Sequence, residues 1–286
     1  MIDKPAGWTS HQVVAKIRKL ARTGKVGHAG TLDPMATGVL VIGIGKATRL
    51  LGHLALTEKG YNATIRLGIS TVTDDAEGEV ITTAGAPRLT DYQIEAAIAN
   101  LRGEQMQVPS AVSAIKIDGV RSYARVRSGQ EVALPQRPVT VDRLEVVGRR
   151  DLEVAGVTVV DLDVVVECSS GTYVRALARD LGIALGTGGH LTALRRTRVG
   201  PFTPEQAQTL DEAEQELRTM PLEDVVRSSF ATMTVNQNQA NYIRHGRRLV
   251  GLILPDRTTA LIDEAGSFLA LYRQEGPDAV AEAVFV

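Results

Sequence analysis

Cysteine is almost missing from this chain. Cys168 stands alone among 286 residues, which excludes an intrachain disulfide and any metal site built on several cysteines. A reduced, cytoplasmic setting is the expectation that follows. Long hydrophobic runs are missing too: the longest, Val39–Ile44, has the length of a strand, far short of the roughly 20 residues needed to span a bilayer. No membrane association is expected. The opening residues Met1–Gly7 lack the charged-then-apolar layout of a signal peptide and start abruptly, as though a first strand began before Ile2. Aromatics are scarce, at 4%, so each tyrosine is worth placing. Charge of either sign is not in excess. The net charge of −1 argues against a general nucleic-acid binder, which would be basic. What is plentiful is apolar material, 44% of a chain long enough for one large domain or one large plus one small.

The distribution of charge says more than its sum. Residues 1–70 hold ten Lys/Arg against three acids, a local balance of +7. A second basic cluster is Arg195-Arg-Thr-Arg198 and a third Arg244-His-Gly-Arg-Arg248, while acids gather in Asp74–Glu79 and Asp211–Glu216. One basic run is ordinarily a solvated helix face. Three separated runs on a neutral protein fit a side that faces a polyanion.

Val13, Val14, Ile17, Leu20 and Ala21 recur at helical spacing, predicting a helix capped by Ser10 and running to about Arg22. The glycine-rich Gly24–Gly30 reads as a loop, and the apolar run from Val39 as a central strand. Tyr61, Ala63, Ile65 and Leu67 share one face of a further strand. Thr90 with Gln93 opens a helix to about Leu101 through a capping box. Val139–Arg149 and Val157–Glu167 are β-rich, Ser169–Thr172 turns into a helix from Tyr173 to about Leu185, and Asp211–Leu217 is helical. From about Leu222 short apolar segments (Leu249–Leu254, Ala260–Asp263, Phe268–Tyr272, Val280–Val286) alternate with turn residues, which reads as a small all-β appendage. The fold class expected is α+β, a mixed and mainly antiparallel sheet flanked by helices, with residues 1–222 as the main domain and 223–286 as a small C-terminal β domain.

One stretch carries chemistry. In Gly27-His-Ala-Gly-Thr-Leu-Asp-Pro-Met-Ala-Thr-Gly-Val-Leu40 a single carboxylate, Asp33, sits in a glycine-punctuated loop with basic surroundings, and Pro34 biases it toward extended backbone. An aspartate by itself is ordinarily a turn or cap residue; the whole string is not ordinary. It resembles the catalytic motif of the TruB family of tRNA pseudouridine synthases, whose aspartate is the nucleophile, with Thr31 the one departure. The resemblance continues in order through Ile2–His11, Lys59-Gly-Tyr61 with Arg66-Leu-Gly68, Asp74–Gly78, Gln107–Lys116, Cys168–Leu177 and Gly189–Arg196. Collinear segments over residues 2–200 are far more specific than any one of them. The C-terminal stretch resembles the family's PUA-type domain loosely.

The resemblance implies isomerisation of a uridine to pseudouridine at position 55 in the T-loop of tRNA, with the base flipped into a pocket. No redox or phosphoryl step occurs, so no cofactor and no metal are expected; the partner is the tRNA T-stem-loop, with no protein partner. Asp33 is implied as covalent nucleophile, by attack on ribose C1′ or uracil C6. Arg175 is implied as its ion-pair partner, and Tyr61 as the surface against the uracil and the acceptor of the C5 proton. Tyr173, Leu194 and Thr31 fall in the substrate-binding set, with His28 filling the place left by the flipped base. Lys4 belongs to the same set through a Lys-Pro pair that buttresses the loop. Lys16, Lys19, Arg22, Lys25, Arg195, Arg196 and Arg198 are assigned to RNA phosphates. A phosphate-binding loop at Gly43-Ile-Gly-Lys-Ala-Thr48 fails, because Leu40 stands where a glycine is needed and Ala47 follows Lys46. The remaining alternative is an RNA-binding or RNA-folding protein of the same fold without catalysis, which would not need Asp33.

Overall fold

The computed structural model of the chain describes residues 1–86, 88–111, 116–117, 120–121 and 134–286. The elements, in chain order, are β1 (Ile2–Lys4), α1 (Ser10–Leu20), β2 (Val26–Ala29), β3 (Thr37–Ile44), α2 (Leu51–Ala55), β4 (Lys59–Leu67), β5 (Ser70–Thr71), β6 (Val80–Thr82), α3 (Asp91–Ala99), β7 (Gly103–Gln107), β8 (Lys116–Ile117), β9 (Val120–Arg121), β10 (Arg137–Val154), β11 (Val157–Cys168), α4 (Val174–Ala184), β12 (Gly189–Val199), α5 (Leu210–Gln215), α6 (Leu222–Ser229), β13 (Ala231–Val235), α7 (Gln237–Arg244), β14 (Thr258–Asp263), β15 (Phe268–Glu275) and β16 (Asp278–Val284). The expected α+β class is what forms. Seven strands run in the order β1-β3-β12-β4-β11-β10-β7, with β2 added on β3; every pairing is antiparallel except β12 on β3.

The alternation in β4 does what it predicts. Tyr61, Ala63, Ile65 and Leu67 are buried on one face, where they meet Ile94 and Ile98 of α3 and Leu177 and Leu181 of α4. The unbroken apolar run of β3 is buried on both sides, as such runs are in covered sheets. Val39 and Val41 pack toward Leu50, Phe202 and the C-terminal strands, whereas Leu40 packs with Ile2 and with Val13, Val14 and Ile17 of α1. The tail is therefore seated on the main sheet rather than tethered beside it: Val226, Ile262, Phe268 and Phe285 share the cluster of Val39 and Val41. Gly38 is where β3 and β12 come closest. Its φ is +102°, and a Cβ there would lie 2.2 Å from the carbonyl oxygen of Arg196, so only glycine fits.

Several expectations need correction. Thr9, not Ser10, caps α1, through a box with Gln12, which frees the Ser10 hydroxyl for the loop described below. Gly24–Gly30 is not all loop: Val26–Ala29 pairs with Val41–Ile44, because Gly27 and Gly43 let the strands lie close under Leu51. The arginine-rich Gly189–Val199, not foreseen as an element, is an interior strand with two irregularities of register. The helix expected at Asp211–Leu217 is Leu210–Gln215, capped by Thr209. The tail is not all-β: α6 and α7 belong to it, and Leu249–Leu254 is not a strand. Of the segment Gln107–Lys116, residues 112–115 lie outside the described residues. Among the described residues no helix is long and apolar enough to cross a membrane.

Candidate active site

Three elements on the sheet converge on the loop that follows β2. Asp33 opens a tight turn in which the Ala36 N–H donates to its carbonyl at 3.1 Å. From α1, the fully buried Ser10 hydroxyl donates to the Leu32 carbonyl (3.0 Å) and accepts from the Leu32 N–H (2.9 Å). From β1, the Lys4 ammonium, 0% exposed, donates to the carbonyls of Pro5 (2.9 Å), Trp8 (2.6 Å) and Pro34 (3.1 Å). From β12, the Arg196 guanidinium, 1% exposed, donates to the carbonyls of Val39 (2.7 Å) and Gly30 (3.1 Å). The loop's buried backbone groups thus find their partners in polar side chains of the surrounding elements.

Asp33 meets Arg175 through a hydrogen bond from Nη2 to Oδ1 at 3.1 Å and an ion-pair contact between Nε and Oδ2 at 3.0 Å. One directed bond and the guanidinium charge hold the carboxylate. Arg175 itself lies in the first turn of α4, almost wholly buried, and its outer nitrogen Nη1 reaches Asp75 Oδ2 (3.3 Å) and the Thr73 carbonyl (2.7 Å). The Asp74–Gly78 turn therefore aims the arginine. Burial raises the Asp33 carboxyl above its ordinary range; the Arg175 charge opposes this, and Asp75 adds to it. The Asp33 side chain is still 33% exposed, facing a cavity of about 250 Å³.

Tyr61, Tyr173, Leu194 and Thr31 line that same cavity with Asp33 and Arg175. Tyr61 is buried; burial raises its phenol above the usual value, with the nearby Arg196 guanidinium pulling the other way. Tyr173 stands at the N-terminus of α4. It has no side-chain cap of its own, and the buried Gln107 amide supplies one, accepting from the Tyr173 N–H (2.8 Å) and donating to its carbonyl (3.1 Å). His28 is half-buried on β2, outside the cavity wall, with its ring edge-on to His11 at 5.7 Å; burial, then His11 and Arg196, lower its pKa.

Two assignments change. Lys4 does not reach the cavity; it buttresses Pro34 from behind, and burial lowers it to about 8 while Asp33 pulls it upward. Arg196 cannot touch a phosphate, because its guanidinium is spent inside on Gly30 and Val39. Among the remaining basic residues, Lys16 pairs with Glu214, Arg195 with Asp3 (2.8 Å) and Arg198 with Glu167 (3.0 Å). Lys19, Arg22 and Lys25 are exposed, with no ion pair among the described residues. Lys46 donates to the Phe285 carbonyl, a contact with the tail rather than a phosphate site. Sequence reading missed four cavity or support residues: Arg137 and Lys59, which line it, and Asp75 and Gln107, which aim Arg175 and Tyr173. Burial lowers Lys59 to about 8. A second cavity of about 320 Å³, between β3 and residues 217–225, is mainly apolar and holds no carboxylate.

The sequence model described as TruB family pseudouridylate synthase (N-terminal domain) matches residues 18–174, and that of the tRNA pseudouridylate synthase B C-terminal domain matches residues 175–233. This chain belongs to the TruB family. The junction of the two matches falls between Val174 and Arg175, so the Asp33–Arg175 pair joins one family segment to the other. Similar curated proteins named tRNA pseudouridine synthase B come from Streptomyces avermitilis (55% identical, covering 100% of this chain and 96% of that one) and Nocardia farcinica (57%, 100% and 92%). Among solved structures, a Cbf5-Nop10-Gar1 complex is similar at 26% identity with a TM-score of 0.70, covering 100% of this chain and 84% of that one. An H/ACA RNP bound to a substrate RNA containing 2′-deoxyuridine is similar at 26% and 0.69, with the same coverage.

Proposed function

We propose that this chain isomerises a T-loop uridine of tRNA, position 55, to pseudouridine, with Asp33 as nucleophile and Arg175, Tyr61, Tyr173 and Leu194 around the flipped base. The observation that carries the reading is a lone cavity carboxylate paired with a buried guanidinium and flanked by two tyrosines and a leucine. Arg175 keeps available the anion that burial disfavours. Attack by that anion, at ribose C1′ or uracil C6, forms a covalent adduct and permits the N1–C1′ bond to break; the base turns, C5 bonds to C1′, the bond to Asp33 breaks and returns the carboxylate, the C5 proton leaves and N1 takes one up. In this reading Tyr61, on the cavity wall, takes the C5 proton; burial raises its phenol above the usual value, and the Arg196 charge beside it opposes that rise. Leu194 and the ring of Tyr173 give the uracil apolar surfaces, so that water does not compete for the carboxylate. His28, on the loop's approach strand, fills the gap left in the RNA, and Lys19, Arg22 and Lys25, with Arg195, Arg198 and Lys16, lie along its backbone.

Residues 1–222 carry this chemistry and residues 223–286 form an RNA-binding module of PUA type; the chain acts without a protein partner. The test is incubation of the purified protein with unmodified tRNA transcript and mapping of pseudouridine by carbodiimide-blocked reverse transcription. Product at a T-loop uridine, absent with Asp33→Asn although that variant still binds the RNA, supports the reading. Absence of product with the unsubstituted protein overturns it.

A further inference from the structure

We propose that Arg137 clamps one of the two backbone phosphates flanking the extruded nucleotide, acting as a positioning residue at the mouth of the Asp33 cavity; this rests on the isomerase reading above. Arg137 is the first residue of β10, half-buried, and part of the cavity wall. Its guanidinium carbon lies 5.3 Å from the centroid of the Tyr173 ring, and among the described residues it has no carboxylate partner and no carbonyl to donate to.

That sets it apart from the other arginines on the sheet. Arg143 pairs with Glu145, Arg149 with Asp91, Arg150 with Asp163, Arg195 with Asp3 and Arg198 with Glu167, while Arg196 is spent on carbonyls. A guanidinium that is partly desolvated yet keeps its five donors unspent has lost hydration without gaining an anion. The cavity's own carboxylate does not supply one: Asp33 is paired with Arg175, and no ion pair joins it to Arg137 among the described residues. The anion has to arrive with the substrate. A nucleotide held in this cavity brings phosphates on both sides of its ribose, and a planar two-pronged donor matches a phosphate better than any other side chain does. The space is open as well: Gly171, at φ +85°, presents no side chain, and a Cβ there would only touch the Arg137 side chain at 4.0 Å. The Tyr173 ring holds one face of the guanidinium and leaves its edge for the ligand. The clamp thus links the RNA backbone to the same tyrosine that lies beside the base.

The experiment uses the full chain and a synthetic T-arm stem-loop RNA carrying a neutral methylphosphonate on the 5′ or the 3′ side of the target uridine. Against fully charged RNA, Arg137→Gln is expected to bind about tenfold more weakly, with a log K against log salt slope shallower by about 0.7 to 1. Arg137→Lys is expected to restore the slope but not the tightness. One of the two methylphosphonates should weaken the unsubstituted protein by a similar factor and leave Arg137→Gln unchanged. Additive losses, or an unchanged salt slope, overturn the clamp; a role confined to bracing Tyr173 gives that result. If Arg137→Gln melts early, Arg137→Lys against the same two RNAs reads the coupling. Absence of pseudouridine with the unsubstituted protein and charged RNA refutes the isomerase reading, a different signal from lost coupling.

Discussion

Replacing Ser10 with alanine tests whether the loop around Asp33 is held by a side chain that never meets the substrate. The hydroxyl both donates to and accepts from Leu32, one residue before Asp33, and no water-accessible face is open to replace it. Its loss leaves a buried N–H and a buried carbonyl unpaired, at about 1–3 kcal/mol each. Alanine at a helical position returns about 0.5 kcal/mol. The net expectation is a loss of about 1.5–5.5 kcal/mol, read by denaturant unfolding with an unchanged m-value. Activity should fall further than stability explains. The Leu32 backbone will move to find new partners, and a displacement of about 1 Å at a nucleophile costs on the order of 100-fold in rate. Single-turnover rates on unmodified tRNA, taken well below the melting temperature, separate the two effects: RNA affinity stays, the rate drops. A Ser10→Ala protein within about 0.5 kcal/mol of the original and equally fast would refute the claim that this hydroxyl pins the loop.

Asp33→Asn should abolish product yet raise the melting temperature at neutral pH. Burial lifts the folded carboxyl above its ordinary 3.8. The folded protein therefore holds that proton more tightly than the unfolded chain, and stability falls as pH climbs from the ordinary carboxylate range through the raised value. The gap between the two proteins should close on acidification; a variant less stable at pH 7 than at pH 4, relative to the original, contradicts this. Arg175→Lys, which gives one contact in place of two, should push the Asp33 carboxyl up again and move the acid limb of kcat/KM to higher pH, and an unmoved limb would count against the pairing. Gly38→Ala, with a Cβ 2.2 Å from the Arg196 carbonyl oxygen, should cost more than about 4 kcal/mol; a soluble variant with unaltered melting would show that β3 and β12 can separate.

Period and propensity made the frame legible. β4 alternates, β3 is continuously apolar and α3 opens on a capping box, and each of these forms as expected. β12 was not legible because three of its arginines read as a basic run facing RNA phosphates. Arg196 is in fact turned inward, its charge met by the carbonyls of Gly30 in the loop and Val39 in β3, both more than 150 residues away. Likewise Val26–Ala29 hides its strand behind two glycines, which a local reading takes for loop and which here permit close packing under Leu51. The tail was misjudged at α7, whose polar Gln237–Arg244 buries only Ala240 and Ile243; two apolar positions in eight are too few to reveal helical spacing.

The site divides in the same way, and the division has a physical cause. Groups that meet the substrate announce themselves through an unusual local string, as Asp33 does between Gly30 and Pro34. Groups that hold the backbone do not, because their partners are carbonyls, which carry no sequence signal. Lys4, Ser10 and Arg196 are all of the second kind, and they reach the loop at Pro34, Leu32 and Gly30, on both sides of Asp33. Such bracing is what the electrostatics require. A carboxyl that burial favours as the neutral acid would, on a loose loop, turn toward solvent to ionise or accept a proton where it lies. Fixed at Gly30, Leu32 and Pro34, it has Arg175 as its means of staying charged, and the anion is left facing the cavity. Reactivity at Asp33 is thus a property of its restraint: weakening any of the three braces should raise the carboxyl's freedom and lower its use.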